Sequence, residues 1–186
     1  LAWLLAVSTI PAGLAALAFG DVVEREAFRQ PGLVVTMLVV FAGILWLSDR
    51  WGSRSRGTDQ LGFVGAAGIG LAQAIALIPG VSRSGATMSA ALFAGLDRPA
   101  AARYAFLMAT PITALAAGYE LVKLVAGDAT ADPEVAPLLV GVVTSFVSGL
   151  LAIAVLLRYL RTRSFDVFVA YRLVAAAVFV VAWLRA

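Results

Sequence analysis

The chain has 186 residues, of which 62% are hydrophobic and 13% charged. So little polar surface excludes a water-soluble domain and indicates an all-α polytopic membrane protein. With no Cys and no His, these residues offer no disulfide framework, thiolate or imidazole base. The net charge of +3 sits in short loops, the pattern of a topology signal and not of a nucleic-acid surface.

Residues 1–19 begin directly in apolar sequence, at Leu1 and not Met, with no basic lead or cleavage site. They are expected to form a transmembrane helix, and the chain is expected to be a fragment that starts at or inside it. Further spans are predicted over 33–48, the shortest, and over 104–125, 137–157 and 165–184, since about 20 apolar residues cross a bilayer. Trp46 and Tyr104, near span ends, read as interface anchors. Residues 62–96 are too long for one ordinary span, and their second half is too short to cross alone. A re-entrant helix–loop–helix hairpin is expected there, wedged among the spans by the small residues Gly62, Gly65, Gly68 and Gly70 and the alanines between them. The whole chain, 1–186, reads as one integral membrane domain.

Loop charges support the hairpin. The segments 49–60 (Arg50, Arg54, Arg56), 97–103 (Arg98, Arg103) and 158–164 (Arg158, Arg161, Arg163) are basic. The segments 20–32 (Asp21, Glu24, Glu26) and 120–136 (Glu120, Asp128, Asp132, Glu134) are acidic. A hairpin puts all three basic loops on the cytoplasmic side and leaves both acidic loops and the tail after Leu184 outside; a single crossing breaks that pattern. The acids of 20–32 read as a solvated loop and not as a cation site.

Inside the hairpin, residues 79–87 read Pro-Gly-Val-Ser-Arg-Ser-Gly-Ala-Thr, and Arg83 is the sole charge between Asp59 and Asp97. An arginine at membrane depth is costly and marks function by default. Pro79 is expected to end the first half-helix near Ile78, and Gly80 and Gly85 to permit unusual backbone. Ser82 or Ser84 can cap the second half-helix, which would leave its positive end at the loop. Thr87, one turn beyond Ser84, is placed to face the same anion. A guanidinium fork, hydroxyls and N–H groups together suit phosphate. Singly, these residues have plainer roles: Ser and Thr in such helices often bond their own backbone, and Gln73, two turns before the loop, more often glues helices than binds ligand. Arg172, inside the last span beside Tyr171, reads equally as an interfacial residue or a partner near the site.

The run from Gln73 to Thr87 closely resembles the second signature of the undecaprenyl-pyrophosphate phosphatases, the bacitracin-resistance family. Its pattern, Pro-Gly-x-Ser-Arg-Ser-Gly-x-Thr, is complete here. Thr9-Ile-Pro-Ala-Gly13, the segment from Phe106 to Pro111, and Ala170-Tyr-Arg172 are similar too, so the likeness runs over essentially the whole chain. The resemblance implies an inverted-repeat fold in a multi-pass protein of the bacterial plasma membrane, with a site open to the outer face. It implies hydrolysis of undecaprenyl pyrophosphate to undecaprenyl phosphate and phosphate, which recycles the carrier for cell-wall synthesis and confers bacitracin resistance. Arg83, Ser82 and Thr87 would be catalytic; Ser84, Gly80, Gly85 and Gln73 would hold substrate. The expected partners are the polyprenyl pyrophosphate and the membrane, with a homodimer as a further possible assembly and no nucleic acid. Family members carry a first, Glu-rich signature followed by Pro-Val-Ser-Ser-Thr-Gly-His on a second hairpin of opposite orientation. Nothing here matches it. The divalent metal of the full enzyme, magnesium or calcium, is therefore expected in a missing N-terminal region, and this chain alone is expected to bind none and to be inactive. The alternatives are an inverted-repeat transporter or flippase for an anionic substrate and, more weakly, an inert paralogue fragment.

Overall fold

A computed structural model describes residues 1–23, 25–126 and 135–185. Glu24, Asp128, Asp132 and Glu134 of the acidic loops lie outside the described residues. The helices are α1 (Ala2–Val23), α2 (Pro31–Trp51), α3 (Phe63–Ile75), α4 (Arg83–Phe93), α5 (Arg98–Ala126), α6 (Val135–Leu160) and α7 (Asp166–Arg185). Short 3-10 turns occupy Glu26–Phe28 and Thr58–Gln60. Among the described residues α1, α2, α5, α6 and α7 are long and apolar enough to cross a membrane. Leu17, Val155 and Leu184 on three of them stand largely exposed, which suits hydrocarbon and not water. The protein is an all-α polytopic membrane protein.

The hairpin forms as its sequence requires. The 13 residues of α3 and 11 of α4 span about 20 and 16 Å, too short to cross a bilayer of about 30 Å. Both ends meet at one base. Gly95, at φ +92°, closes α4 with Leu96 N–H donating to Ala91 O and Gly95 N–H to Leu92 O, a Schellman end. Gly95 O then accepts from Ser55 and Arg56 N–H, and Asp97 N–H donates to Arg56 O. Entry and exit lie side by side, the geometry of a re-entrant element. Gly52 packs so close to the Leu92 carbonyl that a Cβ there would stand 2.6 Å from it.

Along α3, Ala66, Ile69, Gly70 and Gln73 are buried, a stripe of helical period. Gly70 rests on the Ser8 backbone of α1, leaving no room for a side chain. The core gathers Leu45, Ile69, Met88, Leu92, Leu96, Met108, Leu160 and Phe165 around the hairpin base.

The first half-helix ends at Ile75, not near Ile78. The chain turns through Ala76–Val81 in short bonds, Leu77 N–H to Ala74 O, Ile78 N–H to Ile75 O and Val81 N–H to Ile78 O, so Pro79 lies within the turn and does not mark the helix end. The start of α5 also differs from expectation. Asp97 caps it, its Oδ1 accepting from Ala100 N–H at 2.7 Å, and Pro99 fits the first turn, where an N–H is dispensable. Arg98 and Arg103 are therefore helical and not loop residues.

Tyr104 is not an interface anchor. It is fully buried, its hydroxyl 2.6 Å from Ser8 Oγ and 2.9 Å from the Leu4 carbonyl, while Ser8 Oγ lies 2.9 Å from the Ala66 carbonyl. A consistent arrangement has Tyr104 donating to Ser8 and Ser8 to Ala66 O, linking α5, α1 and α3. Periodicity could not reveal this, because a phenol suits an interface and a satisfied interior equally. Tyr104→Phe is expected to cost about 1 kcal/mol, since Ser8 keeps a carbonyl to donate to. Thermal unfolding in detergent reads it as a drop of about 2–4 °C; an unchanged midpoint would show that the network is not holding the three helices. Trp46 is partly exposed, with the Arg50 guanidinium 5.3 Å from its ring centroid.

Candidate functional site

The hairpin tip packs against α2 and α7. Gly80, at φ +91°, lies against the Val34 backbone and Met37 of α2, so a Cβ there would collide as well as strain the chain. Ser82 follows at φ 68°, ψ 111°, backbone that a residue with a side chain rarely adopts and that costs on the order of 1–3 kcal/mol. The strain buys a cap: Ser82 Oγ accepts from Gly85 N–H at 3.3 Å, which decides between Ser82 and Ser84 as the N-cap of α4. Ser84 Oγ stands 3.5 Å from Ser82 Oγ. Ser82, Arg83 and Ser84 are exposed, whereas Gly85 through Ser89 are buried. The positive end of α4 thus presents two hydroxyls and a guanidinium outward, on a backbone fixed by packing behind it.

The remaining predicted residues separate. Thr87 does not face the loop: its buried hydroxyl donates to its own helix, 2.9 Å from Arg83 O and 3.2 Å from Ser84 O. Its role here is back-bonding within α4, the plainer alternative for a hydroxyl in such a helix. Gly85 has helical backbone; what it supplies is space, because a Cβ would stand 2.8 Å from Arg172 Nη1 and 3.3 Å from Ser82 Oγ. Gln73 is 97% buried with neither amide atom hydrogen-bonded among the described residues, so no bond of its amide joins helices there.

One residue that the sequence left undecided belongs to the tip. Arg172 of α7 is buried, with Nη2 donating to Gly80 O at 2.9 Å and Val81 O at 3.0 Å, and Nε to Leu38 O of α2 at 3.4 Å. The signal available was its position as a cation inside an apolar span; what it pairs with could not be read, since its partners are carbonyls, which every residue has.

Beside the tip is a cavity of about 280 Å³. Ser82, Ser84, Gly85 and Arg172 form its polar end; Leu38, Met88, Phe106, Leu156 and Phe168 are among its apolar walls. Such a space accepts an amphiphile with an anionic head. Among the described residues no three His, Asp or Glu side chains come together, and no carboxylate lines this cavity. The donor set is hydroxyl, amide and guanidinium, which fits an anion and does not fit a divalent metal.

Five candidate spans around a re-entrant hairpin with a cationic, hydroxyl-lined tip define a multi-pass membrane protein of broken-helix type. The chain belongs to the bacitracin resistance protein BacA family, whose model matches residues 1–178. It is similar to the undecaprenyl-diphosphatase of Thermomicrobium roseum, 40% identical over 179 residues, covering 93% of this chain and 64% of the relative. It is also similar to those of Gemmatimonas aurantiaca, 43% identical over 175 residues (94% and 63%), and Clavibacter michiganensis, 41% identical over 179 residues (96% and 65%). The chain spans just under two thirds of the length of these relatives.

Proposed function

We propose that the protein containing this chain hydrolyses undecaprenyl pyrophosphate to undecaprenyl phosphate and inorganic phosphate, and that the hairpin tip holds the pyrophosphate. The observation that carries this is the capped start of α4, where Ser82, Arg83 and Ser84 stand exposed and the two serines line the polar end of an apolar cavity. Membership of a family whose similar members are undecaprenyl-diphosphatases supports it.

The chemistry suits these groups. Cleavage of a phosphoanhydride spreads negative charge over several oxygens, so catalysis rests on positioning and electrostatic stabilisation. Arg83 offers two parallel N–H donors to one phosphate. The Ser82 and Ser84 hydroxyls and the first N–H groups of α4 offer more, aligned with the helix dipole. The packed tip fixes the backbone that carries them before substrate arrives, so little backbone reorganisation is needed as charge develops. The first isoprene units would lie along Phe106 and Leu156, where lipid-like walls require no desolvation of the tail. By the loop charges, basic segments face the cytoplasm, and the site is proposed to open to the outer face of the bacterial plasma membrane. The product carrier would return to cell-wall synthesis, and its faster recovery would account for bacitracin resistance.

The test is phosphate release from undecaprenyl pyrophosphate by the full gene product in detergent, with magnesium or calcium added. Release is expected. A folded full gene product that releases none would sink the phosphatase and bring forward a transporter that uses the same broken helix to carry an anion.

A further inference from the structure

We infer that Arg172 is a second anion-binding residue of the site, doing with one face of its guanidinium what holds the hairpin tip and with the other what holds the substrate's phosphate. The inference rests on the proposed pyrophosphate site and adds a residue from another helix to it.

Three observations meet. Nε and Nη2 are committed to backbone carbonyls of Leu38, Gly80 and Val81. These bonds fix the plane of the guanidinium and clamp the turn directly ahead of strained Ser82. Nη1 makes no hydrogen bond among the described residues. It lies beside Gly85, 2.8 Å from where a Cβ would stand there, and Arg172 and Gly85 both line the cavity with Ser82 and Ser84. Arg172 is 94% buried, so its charge is little screened by solvent, and no acidic side chain accepts from it among the described residues. Carbonyl dipoles satisfy its donors without neutralising the cation. A buried charge with an uncommitted donor beside the first turn of α4, in a cavity lined by two hydroxyls, is a built place for an anion.

Lysine cannot replace this. It has one nitrogen, which can hold the tip carbonyls or reach into the cavity but lacks the rigid fork that does both. Gly85 is part of the same device, because any side chain there displaces Nη1.

The experiment is calorimetric titration of inorganic pyrophosphate into the full gene product in detergent, with thermal unfolding of every variant alongside. Arg172→Met is expected to weaken binding at least about tenfold, as loss of a hydrogen bond to a charged group does, and Arg172→Lys to recover only part. Arg172→Met also releases the tip, so Gly85→Ala is the sharper variant. It keeps the cation and adds a single methyl against Nη1; because the guanidinium is rigid the whole fork must shift, so binding is expected to weaken several-fold with a smaller fall in melting than in Arg172→Met. Pyrophosphate bound as tightly by folded Gly85→Ala and Arg172→Met as by the parent, or not bound by the parent at all, would overturn the inference. Lipid hydrolysis by the parent separates the two ideas. An active enzyme with Arg172-independent binding loses only this inference; an inactive one with Arg172-dependent binding loses only the phosphatase.

Discussion

Arg83→Ala in the full gene product is expected to lower the rate of phosphate release from undecaprenyl pyrophosphate by about 10²–10³, the cost of removing one preorganised donor from a developing oxyanion. The melting temperature should stay within about 1 °C of the parent, in the range of exposed substitutions. The two readouts separate for a structural reason. Arg83 opens α4 with its side chain exposed and forms neither ion pair found among the described residues. What holds the tip is elsewhere: the Ser82 cap, Gly80 against Val34, and Arg172 on the tip carbonyls. Arg83→Lys keeps the charge and loses the bidentate fork, so an intermediate rate is expected. Steady-state phosphate assays on variants matched for folded protein decide it. A rate within about threefold of the parent for Arg83→Ala would remove the arginine from the chemistry.

The second large effect is on stability, at the opposite end of the hairpin. Asp49 Oδ1 lies 2.6 Å from Arg98 Nε, and Oδ2 3.1 Å from Arg98 Nη2 and 3.2 Å from Phe165 N–H. One carboxylate, 2% exposed, therefore ties the ends of α2 and α5 to the start of α7. Asp49→Ala is expected to cost about 3 kcal/mol, the lower part of the range for breaking a buried pair, because Arg98 keeps some access to solvent. That corresponds to a fall of about 6–12 °C in the midpoint of thermal unfolding in detergent. Asp49→Asn retains an acceptor for Phe165 N–H and should lose about half as much. The double variant Asp49→Leu with Arg98→Leu should melt closer to the parent than Asp49→Ala. It would not recover fully, since the Phe165 N–H stays without its acceptor. Equal midpoints for Asp49→Ala and the parent would show that packing alone joins these helix ends. The nearby Arg50–Asp166 pair, 3.7 Å apart with both side chains about half exposed, is expected to contribute little.

These two residues lie on opposite sides of what sequence can disclose. Arg83 announces itself, because a lone cation between apolar stretches has no cheap place in a bilayer. Asp49 reads as one more loop acid beside Arg50 and Trp51. Only the return of α5 and α7 to the end of α2 makes it a buried hub. Thr87 shows the converse. Its spacing from Ser84 puts it on the right stretch of helix, but whether a hydroxyl faces the loop or its own backbone depends on a rotamer that spacing does not fix.

Composition, hydrophobic run lengths and the distribution of arginines determined by themselves that this is a helical membrane protein with a re-entrant element. Bilayer thickness sets which runs can cross, and unsatisfied backbone is too costly in hydrocarbon to allow other forms. The sequence also singled out the candidate site motif, since Pro, Gly, Ser and Arg together have few other reasons to sit there. Tertiary structure alone decided which serine caps α4, that Gly85 is needed for space, and that Tyr104 is interior. It also decided that Arg172 reaches the tip from a helix ninety residues along the chain, through bonds to Gly80 and Val81 separated from it by 92 and 91 positions. Contacts to backbone carbonyls leave no mark in residue identity, so they become legible only once the helices have been brought together.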